Sequence, residues 1–348
     1  MKKKHLHLLI GLVVMGLSLV YAFWDVDIAQ LGNALLSAHY IYLVFAVVIV
    51  VISYVLRAMR WRYLIRSVKN VRTSRLYSPL MIGFTANMLP ARAGEFIRAY
   101  LLSKKERISF SASFATIFIE RLFDLVLVLL LLVWVLFFMP GIFSSGSAEG
   151  TADLLDKVKI FGVTALSFCM FIFLFSALLQ YKNNLAMKIV DICTRILPHK
   201  WREKIFGMVH SFTNGLEIIR DKQGLSATVI LTFLIWGSFI ILYYPLYLAF
   251  DIEIDIPVIS SLVILSLTVA IFITVVPTPG FIGSYQLGCI AALNGIFGVD
   301  KAVALSFGIV AWLVVMGSTV IIGTLFAVKE HVSLGELSAG RERMDRPD

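Results

Sequence analysis

Three charged residues lie within seven positions of a chain that is otherwise rich in apolar side chains. Arg92, Glu95 and Arg98 follow Pro90 in the stretch NMLPARAGEFIRAYLLSKK, residues 87–105. If the segment after Gly94 is helical, their spacing of three places them on one face. Two guanidinium groups on one face can bind a phosphate through paired hydrogen bonds, so the stretch predicts an anion site. The alternative is that these are ordinary membrane-flanking cations with Glu95 as their partner.

A second charged group, Glu120, Arg121 and Asp124, lies within the apolar run 110–139. If this run crosses a membrane, each charge costs roughly 2.5–3.5 kcal/mol at the bilayer centre, so the three should face one another or a cavity. One acid can neutralise Arg121, and the other can bind a proton or pair with Arg92 or Arg98. An internal ion pair with only a structural role is the alternative.

A third stretch, PTPGFIGSYQ at residues 277–286, interrupts another apolar run. Prolines and glycines leave backbone groups free, and the polar side chains after them can bond those groups or a ligand. The candidate binding residues here are Pro277, Gly280, Gly283, Ser284, Tyr285 and Gln286. The alternative is a helix kink with no ligand.

Motifs for catalysis or metal binding are missing from the sequence. The histidines are scattered, the three cysteines have no metal-ligand spacing, and there is no nucleophile elbow or nucleotide-binding loop. We therefore expect no enzyme activity, no cofactor and no metal site. One competing feature is Asp25-Val26-Asp27, which resembles the acidic motif of membrane glycosyltransferases that use polyprenyl-phosphate donors.

The elements that must position these residues are membrane helices. The composition is 59% hydrophobic against 15% charged, and the mean hydropathy is +0.89. Several apolar runs approach the ~20 residues that a helix needs to cross a bilayer, without the alternation of barrel strands, so the fold is predicted to be all-α. The net charge is +9, and the Lys and Arg residues flank the apolar runs. This arrangement indicates cations at a membrane surface rather than a nucleic-acid binding site.

The pattern predicts six full transmembrane helices, at about residues 6–24, 40–56, 110–139, 158–180, 225–250 and 302–328. The loops after the first, third and fifth are acidic and are predicted to be external. Seven cations place the end of the second helix in the cytoplasm: Arg57, Arg60, Arg62, Arg66, Lys69, Arg72 and Arg75. Both termini are then cytoplasmic, and the location is the cell (inner) membrane.

Two further elements are predicted to be re-entrant helical hairpins of opposite orientation. The apolar run 80–89 is too short to cross the membrane, and Pro90 and a return of the chain to the cytoplasmic side follow it. The apolar run 258–276 breaks at Pro277, and the short segment after the break returns to the external side. Inverted pairs of interrupted helices form the midplane site of many secondary transporters. We expect one domain over residues 1–330, including amphipathic surface helices at 182–224, and a charged cytoplasmic tail at 331–348.

The three motifs together give the chain a family resemblance. In their order, Pro90-x-Arg92-x-Gly94-Glu95-x-x-Arg98, Glu120-Arg121-x-x-Asp124 and Pro277-x-Pro279-Gly280-x-x-Gly283 make it similar to the flippase-like family that includes the transmembrane part of lysylphosphatidylglycerol synthases. The resemblance implies two opposed re-entrant helices and movement of lipid between leaflets, with the charged residues lining the path. Many relatives have a glycine and a glutamate where this chain has Phe281 and Gln286, which puts a proton-coupled role at position 286 in doubt.

The functional prediction is therefore a lipid translocase. Its partner would be an anionic phospholipid, an aminoacyl-phospholipid or a polyprenyl-phosphate lipid, without nucleic acid, and a homodimer is left open. Only about twenty residues follow the last helix, so synthesis of a lysyl-lipid by this chain alone is not expected. A glycosyltransferase using Asp25 and Asp27, and a non-transporting membrane scaffold, are the alternatives.

Overall fold

The computed structural model describes residues 2–88, 93–139, 160, 162–168, 170–171, 221–276 and 278–332. These residues form α-helices joined by short turns, with no strand among them, which confirms the all-α prediction. The helices are α1 Lys2–Phe23, α2 Ile28–Ser37, α3 Ile41–Ile65, α4 Thr73–Ala86, α5 Gly94–Glu106, α6 Phe110–Phe138, α7 Lys222–Ile241, α8 Tyr243–Ala249, α9 Val258–Val275, α10 Ser284–Leu293, α11 Lys301–Trp312 and α12 Ser318–Lys329.

Within these ranges, five helical stretches are long and apolar enough to cross a membrane: α3, α6, the continuous α7–α8, α9, and α11–α12 joined by a π-helical turn. A bent pair, residues 9–23 of α1 with α2, would make a sixth span. Their outward faces carry large exposed apolar side chains, as lipid contact requires. The chain is a multi-pass membrane protein, as predicted.

The structure differs from the predicted boundaries at three places. The chain bends by 87° after α1 because Asp27 caps a new helix, α2, where the sequence suggested an acidic loop. Helix α3 continues to Ile65, beyond its predicted end at residue 56. Helix α9, predicted as an arm of a hairpin, is itself long enough to span. Most of the predicted span 158–180, and the surface helices up to residue 220, lie outside the described residues.

Helices α4 and α5 form the first hairpin and pack closely through glycines. A Cβ atom placed on Gly83 would lie 2.8 Å from the Cβ of Arg98, and one on Gly94 would overlap the carbonyl oxygen of Gly83. The Asn87 side-chain oxygen accepts a hydrogen bond from the Gly94 amide at 2.9 Å. The tip of this hairpin, residues 89–92, lies outside the described residues.

Helices α9 and α10 form the second hairpin, in which Gly288 packs on the backbone of Val269. Its turn contains a 3₁₀ segment, Pro279–Phe281, in which Gly280 has φ of 62° and Phe281 has φ of 60°. A left-handed backbone costs glycine little, which explains a glycine at the first of these positions. The side of the membrane from which each hairpin enters stays a prediction.

The two hairpins meet at their turns. The sulfur of Met88, at the end of the first hairpin's leading arm, lies 3.7 Å from a Cβ placed on Gly280. The Gly280 carbonyl oxygen accepts a hydrogen bond from the Trp312 indole at 2.9 Å, so the last span holds the second turn in place. The structure therefore brings the two interrupted elements together within one helical core.

Candidate functional site

A two-point ion pair between Arg98 and Glu120 lies at the centre of the site. Helix α5 positions Arg98, which is 3% exposed, and helix α6 positions Glu120, which is fully buried. The guanidinium donates from Nη1 to Oε1 at 3.0 Å and from Nη2 to Oε2 at 2.8 Å. Parallel hydrogen bonds of this kind are the strongest geometry available to such a pair. Both terminal nitrogens of Arg98 are thus occupied by a carboxylate.

Arg60 of α3 forms a second ion pair of the same kind. It is fully buried, and its Nη1 and Nη2 donate to the two carboxylate oxygens of Asp124 at 2.6 and 3.1 Å. Its Nη2 also lies 3.3 Å from Glu120 Oε1, which links the two pairs. The hydroxyl of Thr232 accepts from Arg60 at 3.0 Å, and the indole of Trp236 donates to Asp124 at 3.3 Å. Helices α3, α6 and α7 therefore share this group.

Sequence reasoning missed the role of Arg60, which it counted among the cations marking a cytoplasmic end. Helix α3 was expected to stop at its first arginine, although arginine is a good helix former and this one has buried partners. No signal in the sequence pointed to Arg60, because the three acids Glu95, Glu120 and Asp124 were already matched in number by Arg92, Arg98 and Arg121.

Arg121 lies at the open edge of the cluster, with 36% of its side chain exposed. Its Nη2 lies 2.5 Å from Glu120 Oε1 and 3.3 Å from Asp124 Oδ2, the i,i+3 contact that the spacing predicted. Its Nε lies 3.4 Å from Glu95, whose side chain is 41% exposed. Arg121 is thus shared among three carboxylates, of which Glu95 is the most distant and the most accessible.

An aromatic platform fixes the orientation of Arg98. Its guanidinium lies over the ring of Trp61, 3.7 Å from the ring centroid, and the Trp61 indole donates to Thr116 at 2.9 Å. Trp61 and Thr116 are both fully buried. Stacking on a desolvated tryptophan adds a cation–π attraction to the ion pair. The cluster is therefore held rigidly on its protein side and accessible on the Arg121 side.

The structure brings together five of the predicted site residues: Glu95, Arg98, Glu120, Arg121 and Asp124. Arg92 and Pro277 lie outside the described residues. The other predicted residues lie apart from the charged cluster, in the turn of the second hairpin and the first turn of α10. There they bond protein groups: Gln286 accepts from the Gly283 amide at 2.7 Å, Ser284 bonds Thr278 at 2.8 Å, and Tyr285 bonds Tyr243 at 2.9 Å.

The acidic motif between α1 and α2 has a structural use. Asp25 has a left-handed backbone, and Asp27 caps α2 by accepting from the Ala29 amide at 2.7 Å. Both side chains are exposed. Within the described part of the chain, no three His, Cys, Asp or Glu side chains are grouped as a metal site would need. Cys289, the cysteine described there, is a buried free thiol.

A separate ion cluster joins the ends of the helices on the α5 exit side. Glu106, with a side chain 2% exposed, lies 2.9 Å from Lys69 and 3.1 Å from Arg75. Burial opposes ionisation of this carboxyl, but the hydrogen bond and charge of Lys69 and the charge of Arg75 outweigh it and hold the pKa of Glu106 below its ordinary value. Next to it Lys105 pairs with Glu330 at 2.5 Å, which ties α5 to the end of α12.

The chain is similar in sequence to a known family of membrane proteins and to several individual proteins. Residues 8–323 match the family described as the lysylphosphatidylglycerol synthase TM region. The chain is 25% identical to glycosyltransferase AglD of Haloferax volcanii, matching 93% of this chain but spanning only about half, 54%, of that protein. It is 24% identical to a UPF0104 membrane protein of Pyrococcus horikoshii, covering 92% of this chain and 96% of the relative.

A UPF0104 membrane protein of Methanothermobacter thermautotrophicus is 26% identical, over 82% of this chain and 84% of its own length. No solved structure gives a significant match. The family match covers all three motifs, from the first hairpin to the second turn, and extends from α1 into α12. The chain therefore belongs to the family of the lysylphosphatidylglycerol synthase transmembrane region.

Proposed function

We propose that this protein moves a phosphate-bearing lipid between the two leaflets of the membrane. One observation carries the proposal: a cluster of arginine–carboxylate pairs lies among apolar helices, and Arg121 keeps about a third of its side chain accessible. Charge at membrane depth is costly and usually marks the path of a polar or ionic substrate. The family description names lysylphosphatidylglycerol, a phosphate-bearing lipid, which supports a lipid of this class as the substrate.

The geometry suggests how a phosphate would enter. Arg60–Asp124 and Arg98–Glu120 are matched pairs, so they form a nearly neutral wall behind Arg121. The contact of Arg121 with Glu95 is longer, at 3.4 Å, and both side chains are accessible. A phosphate oxygen can replace the Glu95 carboxylate there while the buried pairs stay intact. The lipid tails would remain in the bilayer, and no covalent step or cofactor is needed.

The candidate lipids share a phosphate and differ in the rest of the headgroup. They are an anionic phospholipid, an aminoacyl-phospholipid and a polyprenyl phosphate. The test is translocation in vesicles containing the purified protein, with fluorescent phosphatidylglycerol compared with a fluorescent glucosyl-diacylglycerol, which has a polar headgroup but no phosphate. Faster movement of the phosphate lipid than in empty vesicles supports the proposal. Equal rates in protein-containing and empty vesicles for every phosphate lipid tried would reject it.

We place both termini and the α5 exit on the cytoplasmic side of the inner membrane. The support is the concentration of exposed cations there: Arg62, Arg66, Arg72, Arg75 and Lys105 surround this end of the molecule. Labelling single cysteines introduced at Arg66 and at Glu253 with a membrane-impermeant reagent in intact cells tests the orientation. We expect labelling at position 253 and protection at position 66.

A second candidate is transfer of a sugar from a polyprenyl-phosphate donor, because one relative is named a glycosyltransferase. The chain spans about half of that relative, and Asp27 serves here as a helix cap. The candidate predicts that Asp25→Asn and Asp27→Asn abolish sugar transfer to lipid while lipid movement is unchanged. If sugar transfer is undetectable with the native protein, this candidate is rejected.

A further inference from the structure

Arg57 is an arginine of a membrane span that the charged cluster does not use. It lies on α3 one turn before Arg60 and one turn after Tyr54, on the same side of the helix as these two buried residues. Ile65 ends the helix two turns further on, so Arg57 lies within the span and not at its end. A cation without a counter-charge at this depth has a large desolvation cost in free energy. The groups around Arg57 therefore indicate what compensates its charge.

Arg57 has no carboxylate within ion-pair distance among the described residues. Asp124 attracts it electrostatically, but both oxygens of that carboxylate are bonded to Arg60. Glu120 is in turn occupied by Arg98 and Arg121. The Arg57 guanidinium contacts the ring of Phe84, 5.5 Å from the ring centroid, which leaves its hydrogen-bond donors available.

Arg57 is partly accessible and has hydroxyl groups in its neighbourhood. Arg57 lies on the buried stripe of α3, yet it is only half-buried, and so are Phe84 and Thr85 of the neighbouring α4. Behind them is a pair of hydroxyl groups, Tyr54 on α3 and Thr319 on α12, that contact each other. Arg57 therefore keeps accessible surface beside these helices and hydroxyl groups.

We infer that Arg57 is a specificity-determining residue whose guanidinium binds the phosphate of the transported lipid, whereas Arg60 and Arg98 are positioning residues that hold Asp124 and Glu120. The inference rests on the proposed function and deepens it, because it names the group that receives the phosphate after Arg121. Internal carboxylates occupy both terminal nitrogens of Arg60 and of Arg98, and the Nε atoms of both are buried, so an incoming anion gains little from them. Arg57 offers its planar fork of donors to an anion without breaking a protein ion pair.

Binding to the purified full-length protein in detergent tests this inference separately from transport. The measurement is fluorescence anisotropy of labelled phosphatidylglycerol and, as a phosphate-free control, of labelled glucosyl-diacylglycerol. Unlabelled polyprenyl phosphate, glycerol phosphate and inorganic phosphate serve as competitors and separate a lipid headgroup from free phosphate. The variants are Arg57→Gln, Arg57→Lys and, as a matched control, Arg62→Gln, which changes an exposed arginine of the same helix.

We expect Arg57→Gln to weaken phosphatidylglycerol binding by roughly tenfold or more, as loss of a charge-assisted hydrogen bond predicts. Arg57→Lys should keep part of the affinity, and Arg62→Gln should bind like the native protein. Glucosyl-diacylglycerol binding should be the same in all four. The inference is overturned if Arg57→Gln binds the phosphate lipid within twofold of native, if it loses both lipids equally, or if the native protein binds no phosphate compound.

A transport measurement distinguishes failure of the Arg57 inference from failure of the translocase proposal. Native protein that binds phosphate lipid through Arg57 but moves none between leaflets contradicts the translocase proposal and leaves the binding site standing. Native protein that moves the lipid while Arg57→Gln moves and binds it equally well contradicts the inference alone. If Arg57→Gln does not fold, the comparison of Arg57→Lys with Arg62→Gln decides, because Arg57→Lys keeps the charge and removes only the planar fork, whereas Arg62→Gln removes a charge away from the proposed site.

Discussion

Arg98 and Glu120 join the first hairpin to the third span through two parallel hydrogen bonds buried among apolar helices. The hairpin helix α5 is thereby fixed against α6 at the point where Arg60 and Arg121 also reach Glu120. Three guanidiniums share the Glu120 carboxylate. Its removal would leave their buried or half-buried charges without this counter-charge, which is strongly destabilising. Glu120 is thus a main anchor of α5 on α6.

Glu120→Gln should therefore destabilise the protein strongly. Three buried or half-buried arginines would lose their shared counter-charge, and breaking such a pair costs about 3–5 kcal/mol. Thermal unfolding in detergent micelles measures the loss, with Glu253→Gln, in an exposed loop, as the control. Identical unfolding temperatures for the two variants would show that the ion network does not hold the fold.

A double-mutant cycle isolates the Arg98–Glu120 contact from the rest of the network. Arg98→Gln combined with Glu120→Gln should be less destabilising than the sum of the two single changes, with a coupling energy of roughly 0.5–3 kcal/mol. The same unfolding measurement on the four proteins gives this number. Strict additivity would mean that the two side chains do not interact in the folded protein.

Arg60→Lys should also weaken the fold, although it conserves the charge. Lysine has no planar fork, so it cannot keep both bonds to Asp124 together with the bond to Thr232. We expect a loss of about 1–3 kcal/mol in unfolding free energy. Arg62→Lys, on the exposed side of the same helix, should change little. A lysine at position 60 that is as stable as the native arginine would argue against the two-point pair.

The burial of Arg60 in the charged cluster shows which part of the site could be predicted from the sequence. Glu120, Arg121 and Asp124 stood out because charges in an apolar run are costly, and their mutual contact followed from helical spacing. Arg60 looked like one of many cations at a cytoplasmic end, because the loop rule describes charge along the chain and not burial. Its partners lie on α6 and α7, which are far away in sequence, so only the folded structure could reveal them.

Gly94→Ala should separate the two arms of the first hairpin. A methyl group at this position would overlap the carbonyl oxygen of Gly83 and the side chain of Asn87, and such overpacking costs about 1–3 kcal/mol. Gly237→Ala, in α7, is the matched control because no atom lies within 4 Å of its added carbon. We expect the control to unfold like the native protein or slightly later, since alanine favours a helix. Equal stability of the two variants would contradict the close packing of α4 on α5.

The hairpins themselves were predicted from length and breaks, but their contact was not. Run 80–89 was too short to cross, and the proline-glycine stretch at 277–286 interrupted the second run, so two helical hairpins followed. The meeting of Met88 with Gly280, and the bond from Trp312 that fixes it, depend on packing between remote segments. Likewise Gln286 and Ser284 were expected to be available to a ligand, but they bond their own turn.

The Glu106 cluster should make stability sensitive to acid. The folded pKa of Glu106 is lower than its ordinary value of 4.5, so the carboxylate contributes stability above that pH and loses it as the pH falls through the folded pKa. Glu106→Gln should cost on the order of 1 kcal/mol near pH 6, because both cationic partners are partly exposed. Denaturation in detergent from about pH 6 to pH 3 should show the difference between native and variant shrinking. A constant difference would exclude ionisation as the cause.

The most direct test of the translocase account is the initial rate at which fluorescent phosphatidylglycerol crosses the bilayer of vesicles containing native protein, Arg121→Ala or Arg62→Ala. Arg121 is the accessible member of the cluster, whereas Arg62 is an exposed arginine outside it. The account predicts that native and Arg62→Ala proteins move the lipid well above the rate of empty vesicles and that Arg121→Ala slows it at least tenfold. Native protein that leaves the rate at the level of empty vesicles, or Arg121→Ala protein that transports like the native, would contradict it.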